Sequence, residues 1–334
     1  MVNFLTAAAV ALAATQSVSA APTPGCVNPS VRKSWAVLTT EERAAYIAAT
    51  KCLMDPKQAP SKTGYAGSRT RWEELQVTHV AQVQFIHGVG AFLPWHRWFM
   101  TVHENLLRNE CGYTGPLPYW DEQAEQSKMQ LVDSGIWSAD PLTGFGSTNF
   151  DENDCVIDGA FSDLQLDLTI KLTREEPVCL KRVLKQDQFD LISQKLVDAC
   201  NTLDTYETFS ACLSASPHVS GHYAVGGTMD DVSLSPADPL FFMHHTNLDR
   251  LWWEWQSKNE SRLTDISGRN VAAGGILVSN QPASLPVSAF LPYFNDGGDV
   301  TTLNHILWTS GTAQNVTIGE VMDINSPLIC AAFE

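Results

Sequence analysis

The sequence predicts a mainly α-helical fold with long loops and a few short strands, and three observations predict it. Segments of helical period carry their own start signals: Thr39-Thr-Glu-Glu42 and Asp204-Thr-Tyr-Glu207 each place a glutamate three residues after a capping residue. Within such segments the apolar residues recur at helical spacing. Eight cysteines with no CxxC pair stand behind an apolar leader, which reads as disulfides bracing irregular chain.

Residues 4 to 19 are mostly Ala, Leu, Val, Ser and Thr, and Val18-Ser19-Ala20 closes them with a small-x-small cleavage pattern. Residues 1–20 therefore read as a secretory signal peptide, although no Lys or Arg precedes the run. The run is too short to span a membrane and no other stretch is long enough, so a secreted protein with no membrane partner is expected. Residues 21–334 contain no internal repeat or low-complexity linker and read as one domain. The net charge of −16 comes from dispersed acidic residues and argues against nucleic acid, which needs a basic patch. The eight cysteines allow up to four disulfides, whose pairing the sequence leaves open. Asn259-Glu-Ser and Asn315-Val-Thr are glycosylation acceptors where exposed.

An extended, proline-containing arm covers 21–38, and a helix follows over about 40–54. Lys57 to Ser68 reads as a loop. The next helix, about 70–84, sets Trp72, Leu75, His79, Val80 and Val83 on one broad face, so His79 points inward, toward a metal or a buried carboxylate. Gly88, Gly90 and Pro94 interrupt helical structure, leaving His87 in a loop and His96 at the start of a helix reaching about Arg108. Residues 122–176 form a long, mostly irregular stretch, of the kind that is functional or pinned, with Cys155 and Cys179 placed to pin it.

An amphipathic helix is expected over 185–200, with Phe189, Ile192, Leu196 and Val197 inward. Asp204 opens a helix to about Leu213, and Ser216-Pro217 starts another that carries His218 and His222 on one face. Gly226-Gly227 ends it. Asp238-Pro239 caps a central, aromatic-rich helix to about residue 259, with His244 and His245 in its first turns. Asp249, one turn after His245, is placed to orient an imidazole or to pair with Arg250. Loops and short strands follow.

Three of the nine histidines fall at His79, His87 and His96. Two helices bridged by a tight loop bring three imidazoles to one point, as a metal ion requires. The pair His218 and His222, with one histidine from the later helix, makes a second set; spacing alone also allows that pair to be a surface pair. Two three-imidazole sets without cysteine or carboxylate favour copper over structural zinc, and three-histidine zinc stays open by ligand type.

The stretch His87-Gly-Val-Gly-Ala-Phe92-Leu-Pro-Trp-His96-Arg97 through Glu104 resembles the copper A signature of tyrosinases, catechol oxidases and molluscan haemocyanins. Asp238-Pro-Leu-Phe241-Phe-Met-His244-His245-Thr-Asn-Leu-Asp249 resembles their copper B signature, and Pro118-Tyr-Trp-Asp121 is also similar to the family. The resemblance covers about residues 70–256. It implies a four-helix bundle holding a type-3 dicopper centre, surrounded by long disulfide-pinned loops. Carried over by position, one copper takes His79, His87 and His96, and the other takes His218, His222 and His245. His244 and Phe241 then stand behind the ligands, with Asp249; His103 is structural and His305 has no assigned role. Phe92 and Phe241, if inward, keep the centre dry.

The implied activity is oxidation of o-diphenols to o-quinones by O2, with a phenolic small molecule and O2 as partners and two copper ions as cofactor. Phe85 stands where many relatives carry a cysteine linked to an imidazole, so His87 is expected to be held by its loop alone. The chain stops at Glu334, and a C-terminal plug domain is not expected. Val219 occupies the position where an Asn is proposed to hold a water in the family, and Glu207 is the candidate acid, already engaged in a capping box. A catechol oxidase with weak or absent monophenol hydroxylation is therefore expected, with Tyr223 lining the entrance. The alternatives are a full tyrosinase, an o-aminophenol or methoxyphenol oxidase, and a haemocyanin-like oxygen-binding protein.

Overall fold

The Thr39 hydroxyl accepts the Glu42 amide at 3.2 Å while the Glu42 carboxylate accepts the Thr39 amide at 2.9 Å. This reciprocal cap starts helix α1, Thr40–Met54, as the sequence predicts. The computed structural model describes residues 25–272 and 294–334, so the leader expected over 1–20 lies outside the described residues. Thr70 caps α2, Arg71–Ile86, whose side chains are buried nearly all round and not on one face only. Such a helix is central. Helix α3, Phe92–Cys111, begins two residues before Pro94 and ends at Gly112, which takes the left-handed conformation (φ 65°) that closes a helix.

The stretch 122–176 holds a short helix, α4, Glu122–Gln126. The 185–200 segment is not one helix: α5, Gln186–Phe189, passes through a 3-10 turn to α6, Gln194–Cys200, with Ser193 extended between them. The break turns the chain so that Phe189, Ile192 and Val197 all reach the core. Helix α7, Tyr206–Leu213, is capped by Thr205 and not by Asp204. Asp265 accepts the Tyr206 amide at 2.8 Å, a tertiary contact that displaces the local box, and the Asp204 side chain is 96% exposed. Pro217 does not start a new helix. The chain runs from α7 through one π-helical turn, Ser214–His218, into α8, Val219–Val225. Proline offers no amide to the ladder, and the wide turn absorbs it. Ser216 donates to the Leu191 carbonyl at 2.6 Å instead of capping. Helix α9, Leu240–Ser257, is buried along its length, as its aromatic content requires.

Strand β1, Ser30–Ser34, lies parallel between β2, Leu117–Tyr119, and β7, Ala331–Phe333, so both ends of the described chain meet beside α3 and α9. A hairpin of β3, Gln165–Leu168, and β4, Arg174–Cys179, and a small pair, β5, Ile306–Leu307, with β6, Val316–Thr317, complete the strands named among the described residues. The cysteines pair as Cys26–Cys330, Cys52–Cys111, Cys155–Cys179 and Cys200–Cys212. The third bridge pins the long irregular stretch to β4. Helices α2 and α3 with the loop between them on one side, and the π turn, α8 and α9 on the other, carry the two histidine groups. No helix among the described residues is long and apolar enough to cross a membrane.

Candidate metal centre and its cleft

His79 projects from α2, His87 from the loop after it and His96 from the first turns of α3. Their nearest ring nitrogens lie within 4.8 Å of one another, and all three residues are buried. His218, His222, His244 and His245 form a second buried group with the same spread, supplied by the π turn, α8 and the start of α9. The two groups meet where His245 stacks on His96, ring centroids 4.3 Å apart.

The rings are oriented by the backbone. The Nδ1–H of His79 donates to the Ser233 carbonyl at 2.9 Å, that of His87 to Val83 at 2.9 Å, that of His96 to Phe92 at 2.8 Å and that of His222 to Met229 at 2.8 Å. Holding the proton on Nδ1 leaves the Nε2 lone pair free to face an ion. The Nε2 atoms of His79, His96, His218 and His244 are buried with no hydrogen-bond partner, an arrangement that is costly without something to bind them. Desolvation pushes these imidazoles well below their ordinary pKa, and His87 down to about 4, with neighbouring imidazoles adding to the effect at His79 and His96. The same holds for His218, His222 and His245. The rings are therefore neutral near pH 7, the form that ligates a metal. All-imidazole donors of this kind fit copper.

His244 differs from its group. Its Nδ1 lies 2.5 Å from the Glu122 carboxylate, both fully buried. Burial drives the imidazole down to about 3 and the carboxyl well up, so the pair is held as two neutral hydrogen-bonded groups. Glu122 escaped the sequence reading, although it directly follows Pro118-Tyr-Trp-Asp121. Its partner is distant in sequence, so no local pattern reveals it.

Phe241 is fully buried between the groups, its ring centroid 4.1 Å from that of His245 and 5.3 Å from that of His79. Phe92 packs its edge on His218 at 4.7 Å. Asp249 takes neither expected role. Its carboxylate accepts Arg97 Nε and Arg32 Nη1, each at 2.5 Å, while Arg250 pairs with Glu254 and Asp121. One turn along α9 from His245, Asp249 faces α3 and β1, where those arginines lie. His103 is buried against Phe242 and away from both groups, and His305 pairs with Asp296 at 2.5 Å.

A cleft of about 510 Å³ opens onto the centre between the His87 loop and the α7–α8 turn. His87 and His218 form its floor, and Phe92, Ala211, Val219 and Val232 its apolar walls. Glu207 and Arg269 also border it, with the Ser267 hydroxyl donating to Glu207 at 3.3 Å. Tyr223 is not among the residues lining this cleft. It is 41% exposed, with the Lys185 ammonium 5.6 Å from its ring. Nor is the His87 loop held by itself alone. Gly90 donates its amide to the Arg269 carbonyl at 3.0 Å, and its own carbonyl accepts the Tyr206 hydroxyl at 2.6 Å. A β-carbon at Gly90 would stand 2.3 Å from the Ser267 carbonyl oxygen, so only glycine allows this approach.

Residues 69–258 match the family model described as the common central domain of tyrosinase. Among curated proteins, the chain is 29% identical over 333 residues to the tyrosinase-like protein phomQ2 of Diaporthe leptostromiformis, covering 95% of this chain and 76% of that protein. It is 30% identical over 295 residues to tyrosinase P of Aspergillus terreus, covering 75% of this chain and 82% of the relative. Among solved structures, a polyphenol oxidase variant from Thermothelomyces thermophila superposes with a TM-score of 0.73 at 25% identity, over 92% of this chain and 89% of that one.

Proposed function

Because the chain belongs to the tyrosinase family, we propose that it is a secreted copper oxidase converting o-diphenols to o-quinones as O2 is reduced to water, with weak or no monophenol hydroxylation. One observation carries this reading: two buried imidazole groups face one another beneath an open, apolar cleft. His79, His87 and His96 would hold one copper ion, and His218, His222 and His245 the other. Bound there, two copper ions supply the exchange of electrons between catechols and O2, two catechols and one O2 giving two quinones and two waters.

The chain's own residues do the rest. Backbone carbonyls fix the rings, and burial keeps them neutral with a lone pair to offer. Phe241 and Phe92, both buried against the histidine rings, would limit the entry of water between the groups. Apolar cleft walls take the flat face of an aromatic ring. Val219 borders the cleft with a side chain that holds no water, which supports weak monophenol activity. Among the described residues the cleft is open, which supports an enzyme over a sealed oxygen-binding protein. Four disulfides support an oxidising extracellular setting, and Asn259 and Asn315 are exposed for glycan attachment.

Copper-loaded protein tests the proposal: metal content by atomic absorption, and oxygen uptake with 4-tert-butylcatechol, L-DOPA, L-tyrosine and o-aminophenol. Two coppers per chain and quinone from the catechols are expected. Reversible oxygen binding without quinone overturns the enzyme reading. L-tyrosine turnover as fast as that of L-DOPA overturns the monophenol part, and faster turnover of o-aminophenol than of catechols reassigns the substrate.

A further inference from the structure

We propose that Arg269 makes the cleft selective for phenols that carry a carboxylate on a side chain away from the ring, and this rests on the cleft being the phenol site. Arg269 borders the same cleft as His87 and His218, and the walls between them are apolar. Its guanidinium makes no hydrogen bond or ion pair with any described residue, although the chain carries an excess of acidic groups. Residues 1–24 and 273–293 contain no Asp or Glu, so no carboxylate from those segments answers it either. A cation without a partner among the described residues, beside an apolar cleft, is positioned to take one from a ligand.

The backbone of Arg269 is held in place. Its carbonyl accepts the Gly90 amide at 3.0 Å and the Thr301 hydroxyl at 3.1 Å, and it bridges Val300 across an antiparallel pair. Gly90 lies in the loop that carries His87, so the base of the arginine is tied to the floor of the cleft. A ring lying over His87 and His218 extends its substituents toward the rim, where Arg269 stands. Phenolic hydroxyls would face the histidines while a carboxylate tail meets the guanidinium.

Glu207 borders the same cleft and sharpens the inference. It does not pair with Arg269, since no ion pair joins them, and its carboxylate accepts the Ser267 hydroxyl. A carboxylate tail is attracted by one residue and repelled by the other. Removing either charge therefore moves the preference in opposite directions, which no general loss of fold would do.

The test compares 3-(3,4-dihydroxyphenyl)propionate with its neutral amide on copper-loaded wild-type, Arg269→Gln, Arg269→Lys and Glu207→Gln proteins. The wild type is expected to show a KM for the acid about five- to tenfold below that for the amide at low salt, a margin that shrinks as salt rises. Arg269→Gln brings the ratio to about one, Arg269→Lys keeps part of it because the charge remains, and Glu207→Gln widens it. A preference unchanged in Arg269→Gln, or one narrowed by Glu207→Gln, overturns the proposal. Calorimetric titration of the same proteins with 3-phenylpropionate and 3-phenylpropionamide needs no turnover. If no catechol is oxidised at all, the oxidase reading fails, and the calorimetry alone decides Arg269: tighter binding of the acid, lost in Arg269→Gln, upholds it, and equal binding of acid and amide overturns it.

Discussion

Gly221 lies so close to His244 that a β-carbon there would stand 2.3 Å from the imidazole Cε1. Gly221 in α8 therefore leaves a gap that the His244 ring fills, beside the rings of His218 and His222. The ring has no room to retreat, because its Nδ1 is held by Glu122 in the fully buried core. Gly221→Ala should cost about 1–3 kcal/mol through overpacking, although alanine is the better helix former. It should also lower copper content, because the displaced ring pushes on its neighbours. Thermal melts and metal analysis check both; a variant with wild-type melting temperature and two coppers would show that the ring has space after all.

His244 and His245 should separate in their effect on copper. His245 stacks on His96 and lies with its Nε2 3.2 Å from that of His222, whereas His244 is tied up by Glu122. His245→Asn should leave about half the wild-type copper per chain and abolish oxidation, since a three-ligand site loses a ligand. His244→Asn should keep both ions at saturating copper but bind one of them about 10–100-fold more weakly, as expected when a supporting group is removed. Competition with a chelator, read by metal analysis after desalting, distinguishes the two. Halved copper in His244→Asn with full copper in His245→Asn would reverse the assignment.

Much of this site was legible because its signals are local. The i, i+4 spacing of His218 and His222 needs only a helix, and Gly88 with Gly90 marks the loop that frees His87. What stayed hidden depends on contacts between distant parts of the chain. Glu122 meets His244 across 122 residues, and Asp249 meets Arg32 across 217. The cap at Thr205 replaced Asp204 because Asp265, far along the chain, supplies the amide's acceptor. The π turn arose because one helical path had to include Pro217, which read alone as a helix start. Tyr223 follows His222 in sequence yet faces Lys185, since adjacent helical residues point about 100° apart.

Asp249 ties strand β1 and helix α3 to α9, which carries His244 and His245. Arg32 comes from β1 and Arg97 from α3, and both guanidiniums are fully buried. Arg97 also donates to the Val321 and Met322 carbonyls and lies 3.8 Å over the Trp252 ring, while Arg32 faces Phe333. Asp249→Asn removes the charge that two buried arginines share, and should cost about 3–5 kcal/mol. Glu254→Gln, which breaks the half-exposed pair with Arg250, should cost less than about 1 kcal/mol. Urea unfolding of both variants gives the comparison. Equal losses would mean that hydrogen bonds to backbone, and not Asp249, hold the arginines.

His103 should make the protein acid-sensitive without touching the metal site. It is fully buried, stacked on Phe242 with centroids 3.9 Å apart and edged by Tyr46 and Trp72, and neither ring nitrogen has a partner. Desolvation lowers its pKa from 6.5 to about 3. Between those values the unfolded chain takes up a proton that the native state refuses, so acid favours unfolding. The contribution is present in full above pH 6.5 and falls by about 1.4 kcal/mol per unit as the pH drops toward 3. From pH 7.5 to 4.5 the wild type should therefore lose about 2–3 kcal/mol more stability than His103→Leu, which has nothing there to protonate. The histidines of the metal site are common to both proteins and cancel in the difference. Urea melts of copper-free wild type and variant at the two pH values provide the measurement, and parallel losses in both proteins would show that His103 accepts its proton while folded.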